Sequence, residues 1–308
     1  MGGTRSLLAE ARDLAVVTTR LAFYNVGYLA LTWAIAIGAV VAFWSYRTWW
    51  TFALAYLVVS SRQQALLNCE HEAQHRKFLP NLRWNNFVGT YLCAAAVGSP
   101  YEAARTRHLT HHRLVGTVDD PDRNLYSGED KQTVGGLIRY FGRGLMGAYA
   151  GMVLMGPKAP KAATEGDSPV RDLTSLIIVQ AALAIGFTLA FDWWVYPALW
   201  LAPLATVTAL CHLVRSFSEH AISDEESSRH GNRLITIKSN LVERSLVAPY
   251  FMNYHAEHHL LPSVPAPRLV DLQRRIRESG DNAPVLVRRS YAGAIRDYAT
   301  ALMDQSRQ

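Results

Sequence analysis

LTSLIIVQAALAIGFTLAF (Leu173–Phe191), a single Asp192, and WWVYPALWLAPLATVTALCHLV (Trp193–Val214) decide the fold: 19 and then 22 residues without a charge. A bilayer core takes about 20 apolar helical residues, so this stretch reads as two spanning helices joined by a tight turn. The first quarter of the chain repeats the pattern. Val26–Trp44 holds 19 uncharged residues, Arg47 interrupts, and Thr48–Ser61 resumes and continues past Arg62 to Leu67. Tryptophans cluster at the block ends (Trp49, Trp50, Trp193, Trp194), where indole rings settle at a membrane–water boundary. Buried helices of a water-soluble core could give apolar runs, but not four of them with aromatic ends. The expectation is an all-α integral membrane protein with four transmembrane helices in two hairpins, over about 26–44, 48–68, 173–191 and 193–214. A soluble cytosolic enzyme is excluded.

The composition agrees. Of 308 residues 50% are hydrophobic and 18% charged, against roughly 25% charged in an ordinary domain, which excludes a disordered or fibrous chain. The net charge of +6 takes its meaning from where it lies. Of the Lys and Arg, three fall in 1–25, four in 62–83, ten in 101–172 and thirteen from Arg215 onward, while the tight turns hold Arg47 and none. Basic residues stay on the cytoplasmic side, so both termini and the long middle segment are expected there. One domain over 1–308 would then carry a cytosolic helical cap built from 69–172 and 215–308. The charge points to anionic lipid headgroups and a membrane bilayer, not to nucleic acid. Cys69, Cys93 and Cys211 share no ligand spacing and lie in or beside apolar runs, so they read as buried thiols.

Shorter features fill in the cap. Asn85–Gly98 is apolar but too short to span, a re-entrant piece or a buried helix. Gly135–Gly156 places Arg139 and Arg143 one turn apart, as in a helix lying in the interface or packed in a core. Pro157–Pro169 reads as a polar loop, and Leu269, Val270, Leu272 and Ile276 as an interfacial or packing helix. Glu10 and Asp13 interrupt any signal peptide, and Gly2 with Ser6 fits an acylation pattern that four spans make redundant.

Eight of the eleven histidines fall in three clusters: His71-Glu-Ala-Gln-His75, His108-Leu-Thr-His111-His112 and His255-Ala-Glu-His258-His259. At this histidine content one H-x-x-H-H arises in about one chain in a hundred, so two are a strong signal. On a helix, positions i, i+3 and i+4 share a face, and each cluster aims its imidazoles at one place. All three clusters fall on the cytoplasmic side near the membrane boundary and can converge. Eight ligands exceed the needs of one zinc, structural or catalytic, so two metal ions are expected. Imidazole alone leaves Zn, Cu, Fe and Ni open. His220, just past the fourth span, is a candidate ninth ligand, His212 a satisfied packing residue, and His230 a solvated one.

These motifs, with Asp120-Pro-Asp122, Glu219-His220 and Asn253-Tyr-His255-Ala-Glu-His258-His259-Leu-Leu-Pro262, resemble the membrane fatty acid desaturase and hydroxylase superfamily over roughly residues 45–275. The resemblance implies four spanning helices and a cytosolic cap holding two iron ions (Fe2+/Fe3+). It implies molecular oxygen as co-substrate, with a lipid or fatty acyl substrate. Electrons would come from an external donor, ferredoxin or cytochrome b5 with its reductase. The implied ligand set is His71, His75, His108, His111, His112, His220, His255, His258 and His259.

Carboxylates and amides that orient metal-bound imidazoles are sought among Glu70, Glu72, Asp119, Asp120, Asp122, Glu219, Asn253 and Glu257. The resemblance singles out Asp120, Asp122, Glu219 and Asn253. Arg274, Arg275, Arg277, Arg288 and Arg289 would meet either an acidic electron donor or lipid headgroups. Desaturation of an acyl chain is the leading reading. A hydroxylase or ketolase of an alkyl, sphingoid or carotenoid substrate is the alternative. Rivals from other classes are a membrane zinc hydrolase and a metal-binding membrane protein without catalysis.

Overall fold

The computed structural model describes residues 11–148, 169–221, 234–278 and 285–306. Gly2, Ser6, Glu10, His230, residues 157–168 of the expected polar loop and the end of the helix expected over 135–156 lie outside them. Helix α1 (Thr19–Tyr46) starts seven residues before the first apolar block, because the Thr18 hydroxyl accepts from Leu21 N and caps the helix there. Arg47, in the left-handed region at φ 47°, ends it. Thr48 and Thr51 form a reciprocal capping box that starts α2 (Trp49–Gln74).

Among the described residues three helices are long and apolar enough to cross a membrane: α1, α6 (Pro169–Ala190) and the helical run Pro197–His220. Only 11% of the apolar window of α6 is buried, and Leu173, Ile177, Ile185 and Leu189 are exposed, an apolar face suited to lipid. The segment expected as the second span is more polar. α2 runs unbroken for 26 residues, but its second half buries Ser60, Ser61, Gln63, Gln64 and Asn68.

Most of those polar groups have structural partners. In the Pro197–His220 run, π-helical turns over Pro197–Leu201 and Leu204–Thr208 precede α7 (Ala209–His220). Pro197 and Pro203 lack N–H groups, and the wide turns leave carbonyls off the helical ladder. Gln63 Nε2 donates to Trp200 O, in the first of these turns, at 2.7 Å, and the Thr208 hydroxyl donates to Gln63 Oε1 at 2.9 Å. Asn68 and Ser61 donate in the same way to Pro249 O and Ser245 O. The last expected span therefore begins at Val195, not at Trp193 as the apolar run suggested, because Asp192–Trp194 form the turn.

After α2 comes α3 (Leu82–Phe87), extended by π and 3-10 turns to Val97. Its inner face is buried against α2 while Trp84, Phe87 and Leu92 stay exposed. Gly89 permits that approach: a Cβ there would stand 2.6 Å from the Tyr101 ring and 2.8 Å from Ala73 Cβ. Asn85 ties the same region together. Its amide donates to Ala73 O at 2.8 Å, and its carbonyl accepts from Phe78 N and Leu79 N at 3.2 and 3.1 Å. Asn85→Leu strands both N–H groups and is expected to cost about 3 kcal/mol, read as a lowered unfolding midpoint in detergent.

Helix α4 (Tyr101–Leu114) begins at Pro100, which offers no side-chain cap. Asp172 of α6 supplies it, accepting from Glu102 N and Ala103 N at 3.0 and 3.1 Å. Next is α5 (Val134–Leu145), with Leu137 and Tyr140 buried and Ile138, Arg139 and Arg143 exposed. The last third adds α8 (His255–Leu260), α9 (Leu269–Glu278) and α10 (Tyr291–Gln305). α9 packs through Leu269, Leu272 and Ile276. The all-α expectation needs one correction. Strands β1 (Ile235–Ile237) and β2 (Leu286–Arg288) pair in parallel, Ile235 opposite Leu286. β1 is wholly buried and holds α8 in place: Thr236 donates to Glu257, and Ile237 N donates to Asn253 O at 3.0 Å.

Candidate metal centre

Four helices bring the nine histidines together in two sets. The C-terminal end of α2 carries His71 and, at its cap, His75. On α4, His108 and His112 are four residues apart and share a face, while His111 is turned about 100° from its neighbour His112. α8 repeats the arrangement, with His255 and His259 on one face and His258 on another, and His220 closes α7. The sets are His71, His75, His108, His112 and His258, and His111, His220, His255 and His259. Within each, one ring nitrogen per residue lies within 4.8 Å of all the others. α4 and α8 contribute to both sets, so the two positions are tied together. The His112 and His259 rings bridge them, stacked with centroids 4.1 Å apart.

The donor set fits metal ions. Nε2 atoms stand 2.7 Å apart between His75 and His108, and 3.0 Å between His108 and His112 and between His112 and His258. In the second set the His220–His255 and His255–His259 separations are 2.9 and 3.0 Å. Two imidazole nitrogens held about 2.1 Å from one metal at right angles would be about 3 Å apart. Chained imidazole contacts cannot all be hydrogen bonds, because a neutral ring donates only once. Both ring nitrogens of His71 are buried without a partner, as is Nδ1 of His112, His258 and His259. Burial and neighbouring positive groups also keep these rings neutral. Burial, then the Arg105 and Lys77 charges, pushes His75 down to about 4. Burial first and adjacent histidines next hold His71, His108, His258 and His259 well below the usual histidine range. A neutral imidazole keeps the lone pair that a metal takes.

The supporting residues divide unevenly. His111 Nδ1 lies 2.8 Å from Asp120 Oδ1, which also accepts from Asp122 N at 2.8 Å, while Tyr126 donates to Asp120 Oδ2. Burial raises the Asp120 pKa, but His111, Tyr126 and the Asp122 N–H outweigh it and hold it at about 2. His255 Nδ1 lies 3.3 Å from Glu219 Oε2, and Tyr291 donates to Glu219 Oε1 at 2.9 Å. Asp120 and Glu219, two of the four residues that the resemblance singled out, thus lie beside the imidazoles of His111 and His255. Asp122 pairs with Arg107 and stays 3.9 Å from His111 Nδ1. Asn253 corrects the expectation: it donates to Ile237 O at 3.0 Å and fixes the chain before α8 instead of touching a histidine. Glu70 bonds Gln74 and Ser99, Glu72 accepts from Ala266 N, and Glu257 bonds Thr236 and Gln273. Asp119 is exposed.

Tyr126 and Tyr291 were missed by sequence reasoning, since neither adjoins a histidine motif and only the fold brings them in. His212 is not the satisfied packing residue expected: its Nδ1 is buried without a partner. It lines a cavity of about 120 Å³ that reaches His71 and His108 of the first set and His111, His220 and His255 of the second. The expected basic patch is partly spent within the chain, Arg274 on Asp271 and Arg275 on Asp13. All three cysteines are buried and free.

Comparison with known proteins bears on what this centre does. A family model described as fatty acid desaturase matches residues 47–291. The dihydrorhizobitoxine desaturase of Bradyrhizobium elkanii is 25% identical over 231 residues, 71% of this chain and 65% of that protein. The chain thus spans slightly less than two thirds of that relative. A beta-carotene ketolase of a Paracoccus species is 26% identical over 269 residues, 83% of this chain and 96% of that enzyme. The chloroplastic omega-3 fatty acid desaturase of Brassica napus is 28% identical over 116 residues, 36% of this chain and 28% of that one. The matched stretch runs from the turn before α2 to the first residue of α10 and takes in all nine convergent histidines, so the chain belongs to the fatty acid desaturase family and is an oxidoreductase.

Proposed function

We propose that this protein is an integral-membrane di-iron enzyme that desaturates an acyl chain of a lipid or fatty acyl substrate. The observation that carries the reading is the five-plus-four division of histidines around two adjacent positions. Two bound irons would supply, from molecular oxygen, the oxidant needed to take hydrogen from an unactivated C–H bond. The chain's own part is to hold nine nitrogen donors in place with no thiol among them. Desaturation consumes one oxygen molecule, two electrons and two protons, and releases two waters as the substrate loses two hydrogens. The electrons come from a separate ferredoxin or cytochrome b5 and its reductase. α2 completes a set of four spans, and the histidines, the cap and both termini face the cytoplasm, as the placement of Lys and Arg favours.

The second reading is hydroxylation or ketone formation on an alkyl, sphingoid or carotenoid substrate, favoured by the near full-length match to the ketolase. Both begin with removal of one hydrogen and differ in whether a second hydrogen leaves or oxygen is added. High-resolution mass spectrometry of lipids from a host expressing the chain, against a host expressing His258→Ala, tests the proposal. A new species lacking two hydrogens in the first host alone is the expected result. A species gaining one oxygen establishes the second reading, and identical lipids in both hosts overturn both.

A further inference from the structure

Three of the elements read as spans send side chains to the end of the α3 segment. Trp33 of α1 donates from Nε1 to Leu92 O at 3.1 Å. Gln180 of α6 donates from Nε2 to Ala95 O and Ala96 O at 2.5 and 3.1 Å, and Trp200 of the Pro197–His220 run from Nε1 to Ala96 O at 2.9 Å. The last carbonyls of a helical segment have no partner within it, and water serves them where water is present. Here an amide and two indoles serve them, as irregular backbone inside an apolar layer requires.

The positions of these donors along their own helices give the depth. The exposed Tyr46, Trp49, Trp50 and Trp193 mark the far boundary of the membrane. Trp33 precedes Tyr46 by 13 residues, about 20 Å of helix, and Gln180 precedes Ala190 by 10, about 15 Å. A hydrocarbon core is about 30 Å thick, so both donors lie inside it. The other end of α3 is higher. Asn85 donates to Ala73 O, and Ala73 stands 24 residues beyond Trp49, about 36 Å along α2. α3 therefore starts at the cytoplasmic boundary and descends into the layer. Gly98, at φ 73°, turns the chain, and α4 begins higher again, where its cap Asp172 stands 18 residues before Ala190, about 27 Å. α4 then climbs out carrying His108, His111 and His112.

The open face of α3 suits that depth. From Trp84 to Tyr101 the chain holds no charged residue. Trp84, Phe87 and Leu92 are exposed, and the Trp84, Phe87 and Tyr91 rings form a strip with successive centroids 5.8 and 5.1 Å apart. Arg83, exposed directly before the strip, puts a cation at the height of lipid phosphates.

We propose that α3 is a re-entrant helix and that its aromatic strip packs against the acyl chains of phospholipids in the cytoplasmic leaflet. This rests on the reading of α1, α6 and the Pro197–His220 run as spans, and it adds an element within the bilayer without adding a crossing. The histidines of α4 are then borne on a helix that rises out of the leaflet, next to the lipid that the strip holds.

Fluorescence quenching of the full chain in phosphatidylcholine vesicles tests this, with a nitrobenzoxadiazole label on Trp84→Cys, Leu92→Cys, Ile177→Cys or Val118→Cys. The native cysteines are buried, and wild type treated with the label gives the background. Ile177, exposed on α6, reports a spanning face, and Val118, exposed after α4, reports the aqueous cap. Trp84→Cys and Leu92→Cys are expected to follow Ile177→Cys: nitroxide-bearing lipids quench them and aqueous iodide does not. A nitroxide near the headgroup should act more on Trp84→Cys, and one farther down the chain more on Leu92→Cys. Iodide quenching of both, as at Val118→Cys, overturns the re-entrant helix and leaves the spans standing. Equal response of both to the two nitroxide depths overturns the descent. Iodide quenching of Ile177→Cys overturns the spans, and this inference with them. If neither quencher reaches the two α3 labels, protein covers the strip, as a second copy would, and lipid is overturned as its occupant.

Discussion

Replacement of His71 by alanine abolishes turnover while the protein still enters the membrane. His71 is a buried member of the five-histidine set: its ring centroid lies 4.2 Å from that of His108, 4.5 Å from His258 and 5.2 Å from His75. Both of its ring nitrogens are buried without a protein partner, so no other side chain replaces the donor that is lost. Even an outer partner of a ligand is worth about 10–100-fold in metal affinity or activity, so the loss of a ligand exceeds about 100-fold. Iron analysis is expected to fall from about two ions per chain to about one, because His71 belongs to one set only. Immunodetection after an alkaline wash of the membranes separates this from failed insertion. Full activity in His71→Ala would sink the shared metal site.

The same variant separates the rival classes. A zinc hydrolase works with about three protein ligands and an activated water, so the four-histidine set would suffice and His71→Ala would retain activity. A metal-binding protein without catalysis would lose metal but leave cellular lipids as they were. The di-iron reading requires metal and product to disappear together.

How far the sequence carried the structure depends on the range over which each feature is encoded. The apolar block Val26–Trp44, and Leu173–Phe191 but for its last residue, fall within helices that meet the length and hydropathy of a span, because composition over about 20 residues is a local property. The convergence of eight histidines was legible for the same reason, since helical spacing groups them in three clusters, whereas His220 stands alone in the sequence and entered only through the resemblance. The polar half of α2 was harder to read. Gln63 and Asn68 look like interruptions until the carbonyls of Trp200 and Pro249 arrive from more than a hundred residues away. The pairing of β1 with β2 was invisible, since three-residue strands carry no alternation to detect. Asn253 misled because proximity along the chain to His255 was read as proximity of its side chain to the ring.

Asp120→Asn weakens metal binding at the four-histidine set about 10–100-fold and leaves the five-histidine set nearly unchanged. The asymmetry follows from where the carboxylates lie. Asp120 bonds His111 and Glu219 lies 3.3 Å from His255, both in the four-histidine set, where His259 Nδ1 is left without a partner, whereas in the other set Nδ1 of His71, His112 and His258 all lack one. A carboxylate accepting Nδ1–H raises the basicity of Nε2 and fixes the ring, and it favours a more positive metal ion. Asparagine fits the site. Its carbonyl oxygen can still accept from His111 Nδ1 and Asp122 N, and its NH2 group would face Tyr126, whose hydroxyl can turn to accept. What is lost is the charge, so the fold should persist while the metal loosens. Tyr126→Phe removes a neutral donor to Asp120 and should produce a smaller shift in the same direction. Chelator titration of purified, iron-loaded protein resolves the two populations: the wild type releases its ions in two phases, and Asp120→Asn moves only the phase that is also lost in His220→Ala. Equal weakening of both phases would mean that Asp120 supports the whole cap instead of one metal position, and an unshifted titration would mean that the His111–Asp120 bond holds structure alone.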